Sequence, residues 1–273
     1  ISNRLNVAGF TTTTALTVSG TTSPAQITHT GGFGLRIFRS NKTLDMNANY
    51  GAADTHATIN ASSGMDLRFQ IGGSDKVTVD SAGRLLVKTS SSQSVYGLNH
   101  QLQVEGTTGA TSSASFTRNS DDSNPPYLTL AKSRGGSIGS NTIIQDGDYI
   151  GVLSFNAADG TNRDHMVAQI HAHCDGTPGA NDVPGRLAFY TTADGSNSST
   201  QRMVIKSDGK IGVNISTPGT LFHQHESSSA ANYHKFTNST TGSAGTDGAY
   251  VGLDASERFI MWTQETGKIR FGV

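Results

Sequence analysis

A short hairpin phrase written three times limits this chain more than any other feature. Val77-Thr-Val-Asp-Ser-Ala-Gly-Arg-Leu-Leu-Val87 returns as Met203-Val-Ile-Lys-Ser-Asp-Gly-Lys-Ile-Gly-Val213, and Ile1-Ser-Asn-Arg-Leu-Asn-Val7 is a shortened copy. Apolar and polar residues alternate on both sides of a turn, the pattern of two strands with one covered face. The spacing predicts two-residue turns at Ala82-Gly83 and Asp208-Gly209, with Ser2-Asn3 in the shortened copy. A tight hairpin needs positive φ, which Gly and then Asn adopt at least cost. A β-unit recurring along a chain points to a modular array rather than one domain closed around a pocket.

The likeness extends beyond the hairpin. Leu16–Thr22, Leu102–Thr108 and Leu221–Glu226 read as a following strand, and Phe33–Ile37, Tyr127–Leu130 and Tyr250–Leu253 as a further one. Gly64–Phe69, Gly185–Phe189 and Gly267–Phe271 share a Gly-to-Phe phrase that also reads as strand. Arg4 and Arg84 lie 80 residues apart, Gly83 and Gly209 lie 126 apart, so the second module is longer by 46. The modules expected are 1–92, 93–218 with an inserted β-subdomain over about 131–184, and 219–273. The shortened first copy, Ile1 in place of Met, and a stop at Val273 where another hairpin is due predict an excerpt of a longer repetitive polypeptide.

Composition supports an all-β chain of small, elongated modules. Helical periodicity is lacking, and six Asp-Gly pairs, at Asp146, Asp159, Asp175, Asp194, Asp208 and Asp247, mark turns. Charged residues make up 15% against about 25% in ordinary domains. With a net charge of −1 there is no electrostatic footprint for nucleic acid. No run of about 18 apolar residues suits membrane insertion. One cysteine, Cys174, excludes an intrachain disulfide framework.

The predicted inward side chains are Val77, Val79, Leu85 and Val87 in one hairpin, and Met203, Ile205, Ile211 and Val213 in the other. Hairpins with so few inward residues are marginal alone and need neighbours. Those neighbours are either other modules of the same chain or, the expectation favoured here, identical modules in other chains around a rotation axis.

Arg202-Met-Val-Ile-Lys-Ser-Asp-Gly-Lys-Ile-Gly-Val-Asn-Ile-Ser-Thr-Pro218 resembles the repeated phrase of bacteriophage tail-fibre proteins. There a Glu-Arg-Met-Arg-Ile-Asp-type strand precedes Ser-x-Gly, a Gly-Ile/Val-Gly-type strand and Thr-Thr-Ser-Pro-like residues. Asp146–Phe155 and Asp175–Gly195 are similar to fibre modules as well. The resemblance implies a homotrimeric fibre on the virion, outside the cell. Its partners would be other phage tail proteins and a host-surface glycan or protein, with no cofactor and no enzymatic activity. Two rivals are a bacterial surface adhesin and a polysaccharide-degrading tail spike. The segment 131–184 would stand out from such a shaft, as insertions into repeats do.

Candidate chemistry is thin. His171-Ala-His173 and His223-Gln-His225 each place two imidazoles on one strand face. Such pairs suit iron or zinc if further ligands converge, and some fibre families build an axial iron site from them. Ala168, Ile170, Ala172 and Cys174 look like the packed face, which leaves His171 and His173 toward water or a neighbouring chain. No metal ligand is assigned. Asp146/Asp148 and Asp121/Asp122 have the residue types of a glycosidase pair, but their Gly, Ser and Asn neighbours favour turn capping, and no catalytic residue is assigned. The loop 176–182 offers oxygen ligands without calcium-loop spacing. Cys174 reads as a small buried residue, and Trp262, Tyr127 and Tyr190 as core or inter-chain contacts before sugar-stacking ones. Gly31–Gly34 and Gly135–Gly139 lack the Lys and helix of a phosphate loop. Which residues bind a partner is unknown from sequence.

Overall fold

A computed structural model of the chain describes residues 35–39, 42–48 and 57–271, with side chains for 59 and 61–271. The hairpin copy at 1–7, the strand expected at 16–22 and the Gly31–Gly34 run lie outside the described residues. Contacts divide the chain into two units, one of residues 1–92 and 100–113, the other of 93–99 and 114–273. The chain is all-β: no helix occurs among the described residues.

The first unit holds two sheets. Strands β1 (Leu35–Arg39), β2 (Lys42–Ala48) and β3 (Ala57–Ala61) form an antiparallel meander. Strands β4 (Leu67–Ile71), β5 (Ser74–Val79) and β6 (Leu85–Val87) form another, to which β7 (Leu102–Val104) adds in parallel. The second unit holds a six-stranded sheet of β8 (Tyr149–Ala157), β9 (His165–Cys174), β10 (Gly185–Thr192), β11 (Ser199–Ile205), β12 (Ile211–Val213) and β13 (Phe222–Gln224). It is antiparallel except for the β12–β13 pair. A last meander joins β14 (Asn232–Phe236), β15 (Ala249–Leu253) and β16 (Phe259–Thr263). Segment 131–184 forms no separate sheet, because its strand β9 pairs with β10 and its strand β8 adds to β9 as the end strand. The strands expected at Tyr127–Leu130 and Gly267–Phe271 do not form, since neither run finds a ladder partner.

Turn chemistry follows the sequence in residue type and departs from it in length. All six Asp-Gly glycines take positive φ. The hairpin turns have three residues instead of two. Gly83 N donates to Asp80 O and Asp80 N to Arg84 O, and Gly209 N donates to Lys206 O and Lys206 N to Lys210 O. This is a type I turn closed by one left-handed residue, here Gly83 (φ 81°) and Gly209 (φ 82°). The β15–β16 turn has the same bonds at Asp254–Arg258, with Glu257 (φ 63°) in the glycine's place.

The buried face of each hairpin is the reverse of that predicted. Thr78 and Leu86 are fully buried, while Leu85 stays 40% exposed. In the second hairpin Val204 and Gly212 are buried, and Met203, Ile205, Ile211 and Val213 only half-buried. The cause is the parallel last strand, which needs a crossover over one face of the sheet. After β6 the crossover brings Ser92 to the side chain of Gln103, which pairs with Leu86. After β12 it lays Ile215 against Gly212, where a side chain would clash with the Ile215 carbonyl. Alternation reveals an apolar face but not which face a crossover takes.

Candidate functional site

Strand β9 carries the first histidine pair on the side opposite Ile170. His171 lies across from Val152 and Ala188, and His173 across from Tyr149 and Arg186. Tyr190 stacks on His171 at 4.2 Å between ring centroids, and Tyr149 leans on His173 at 4.2 Å. The imidazoles keep only 6% and 4% of their surface, against the expectation that they face outward. Their ring nitrogens lack a hydrogen-bond partner of good geometry. Burial first, then the repulsion of His173, holds the His171 pKa below its ordinary value. Burial and the Arg186 charge do the same for His173, although the Gly147 backbone and Asp175 favour its protonation slightly. Both rings act as neutral aromatic packing.

His223 sits in β13 and His225 just beyond it, with rings edge-on at 6.4 Å. The His223 Nδ1 accepts from Gly219 N at 3.1 Å. The pair borders an open polar cavity of about 300 Å³ with Glu226, Asp254 and Glu257. Among the described residues, no three His, Cys, Asp or Glu side chains converge in a way that would hold a metal ion.

The acidic candidates serve loops. Asp148 accepts from Arg134 Nε and Nη2 at 2.7 and 2.8 Å and from Gln145 N, and these partners, Arg134 foremost, hold its carboxyl well below the usual range. Asp146 accepts from Gly176 N at 2.8 Å. Asp122 accepts from Asn124 N and pairs with Arg118, and neighbouring Asp121 is exposed. In the 176–182 loop, Gly179 and Asp182 exchange backbone hydrogen bonds around Asn181 (φ 59°), a turn. Cys174 is fully buried, its Sγ 3.4 Å from Gly176 O, and burial pushes its thiol pKa up.

Asp175, read from sequence only as a turn residue, bridges two cations and a backbone amide. It accepts from Arg186 Nη1 at 3.0 Å, from Ser207 N at 2.9 Å and from Lys206 Nζ. Burial alone would raise its pKa, but Lys206, Ser207 and Arg186 together hold it far below the ordinary value. This cluster ties the end of β9 to the β11–β12 hairpin. The Lys206-Ser207 half of it was visible only as part of the hairpin phrase.

The β14–β16 sheet has two unlike faces. Register places Tyr233, Lys235, Tyr250, Ile260 and Trp262 on one, and Phe236, Val251, Leu253, Phe259 and Met261 on the other. Tyr233 and Tyr250 meet edge to face at 5.5 Å, and Lys235 Nζ lies 5.3 Å from the Tyr250 ring centroid. Tyr250 donates its hydroxyl to Gly245 O at 2.6 Å. Trp262 is 55% exposed. The three aromatics noted in the sequence do not meet, for Tyr190 stacks on His171 and Tyr127 lies exposed outside any strand. Of the partners of Trp262, Tyr233 carried no motif and Tyr250 only the repeat's further strand; strand register brings them together.

No family model matches the sequence, and no curated protein matches it. Among solved structures, the chain is similar to the carboxy-terminal domain of the bacteriophage T5 L-shaped tail fibre, with a TM-score of 0.44 and 14% identity over 70% of this chain and 81% of that one. The same domain carrying its intramolecular chaperone is similar at the same TM-score and identity, with 56% of that chain covered.

Proposed function

We propose that this chain is a structural segment of a bacteriophage tail fibre, assembled as a homotrimer on the virion and reaching a glycan or protein of the host surface. Its role is mechanical and adhesive rather than catalytic. One observation carries the reading. Each hairpin sheet presents two adjacent rows of apolar residues, half-buried or exposed, on the face away from its crossover. In the six-stranded sheet the rows run Leu153, Ile170, Phe189, Met203, Val213 and Gly151, Ala172, Leu187, Ile205, Ile211, Phe222. In the first unit they run Phe69, Val77, Val87, Val104 and Leu67, Val79, Leu85, Leu102. Leu153, Phe155 and Phe222 are each 50% exposed.

Scattered exposed apolar residues are ordinary, but contiguous ones mark an interface. A partner must offer matching rows at matching intervals. Another copy of this chain does so, and rotation about one axis closes the set. The phrase at 202–218, with its resemblance to tail fibres, supports the same reading. Immunogold labelling of virions from the phage that encodes the chain is expected to decorate tail fibres. Label confined to a bacterial envelope would instead support an adhesin.

A further inference from the structure

We infer that the Tyr233–Tyr250–Trp262 face of β14–β16 is a binding site for a neutral saccharide. The inference rests on the host-attachment reading and names where contact occurs and with what chemistry. The face forms an open pocket of about 450 Å³, lined by Tyr233, Tyr250, Ile260, Trp262 and Gln264. That volume falls within the range of small-ligand sites, which pair aromatic walls with a few polar groups.

A pyranose ring presents a patch of C–H bonds on one face and hydroxyls around its rim. The C–H patch complements the negative face of an aromatic ring. The rim needs donors and acceptors, and the Gln264 amide and the Tyr233 hydroxyl provide both. Tyr250 is fixed by its hydrogen bond to Gly245 O, so its ring is held in place before a ligand arrives. Lys235 already donates to Ala244 O and lies over the Tyr250 ring, and no Arg lines the pocket. The pocket lining itself carries no charged side chain, which suits a neutral sugar rather than an acidic one. The reverse face, with Phe236, Val251, Leu253, Phe259 and Met261, has an aliphatic and phenyl surface suited to another chain. The two faces thus divide the work, one for assembly and one for ligand.

Trp262 is the only tryptophan of the chain, so its emission reports on this face alone. The purified chain is titrated with maltohexaose, cellohexaose, chitohexaose and a mannohexaose while tryptophan emission is followed. A saturable change is expected with at least one of them. Tyr250→Ala and, independently, the exposed Gln264→Ala should weaken that response at least about tenfold, and Met261→Ser on the reverse face should leave it unchanged. Gln264 holds no strand position, so its variant keeps the test clear of misfolding. Silence with all four probes overturns the inference, as does a response that both Tyr250→Ala and Gln264→Ala leave intact. Such a failure with the fibre assembly unaltered removes the saccharide site and spares the structural reading.

Discussion

The β4–β7 and β10–β13 sheets share a plan and differ at one edge. Both have a register shift after the Phe of the Gly-to-Phe phrase, between Phe69 and Gln70 and between Phe189 and Tyr190. Both close the hairpin with a left-handed Gly and leave β6 or β12 through a second left-handed residue, Lys88 (φ 67°) or Asn214 (φ 59°). Both end in a parallel strand. In the first sheet β4 is the end strand, whereas in the second β9 and then β8 cover the matching edge. The first sheet buries Thr78 and Leu86, while the second adds Gln169, His171, His173, Cys174 and Ala188 to Val204. Phe69 is 51% exposed where Phe189 is half-buried. The longer module therefore spends its extra residues on shielding an edge that otherwise invites pairing with a foreign strand. In the shorter one Arg68, paired with Asp66 and Asp75, blunts that edge with charge.

The comparison breaks most readily at Asp175, the clamp that the first sheet lacks. Asp175→Ala leaves Lys206 and Arg186 without their carboxylate. Because those partners keep about a quarter of their side-chain surface, the loss should fall short of a fully buried pair, at about 2.5 kcal/mol. Denaturant unfolding of the variant against the parent measures it. A loss under about 0.5 kcal/mol would mean that the cluster does not hold β9 to the hairpin.

Acid should separate the two sheets next. An unfolded imidazole takes up a proton near its ordinary 6.5, whereas folded His171 and His173 do so only at lower pH. Between those values the unfolded chain binds more protons, so stability is full above about pH 6.5 and declines as pH falls below it. No histidine is buried in the described part of the first sheet. Hydrogen exchange at pH 7.5 and 5.5 should show β8–β10 losing protection while β4–β7 holds steady. In the variant carrying His171→Phe and His173→Phe that difference should vanish, and its persistence would assign the effect elsewhere.

Thr78 and Val204 occupy matched positions, and the Thr78 Oγ1 is buried without a hydrogen-bond partner. Thr78→Val copies the second sheet into the first and should stabilise it by about 1 kcal/mol, read as a shift in the unfolding midpoint. The smallest change expected is at the third hairpin. Glu257→Gly supplies the residue that the other two turns use and should add about 0.5 kcal/mol, after the larger backbone entropy of Gly is allowed for. Destabilisation there would mean that the Glu257 side chain contributes more than its strained backbone costs.

Much of this fold was legible in the sequence, for definite reasons. Alternation gave the strands of both hairpins, and Asp-Gly pairs gave six turns in which Gly takes positive φ. Turn length was misread in the first hairpin because Asp80 caps the turn from one residue before it, accepting from Ala82 N and Arg84 N. The covered face was misread because crossovers are tertiary events with no local signature. His171 and His173 were placed outside for the same reason, since Tyr149 and Tyr190 come from other strands. The Trp262 platform was hidden because its members are 12 and 17 residues apart and join only through register.

In the proposed fibre, sister chains cover the apolar rows that face away from the crossovers. Light scattering on the purified chain tests this most directly. The account predicts a folded particle of about three times the 28.6 kDa chain mass. A folded, monodisperse species at the single-chain mass, stable on dilution, would contradict it.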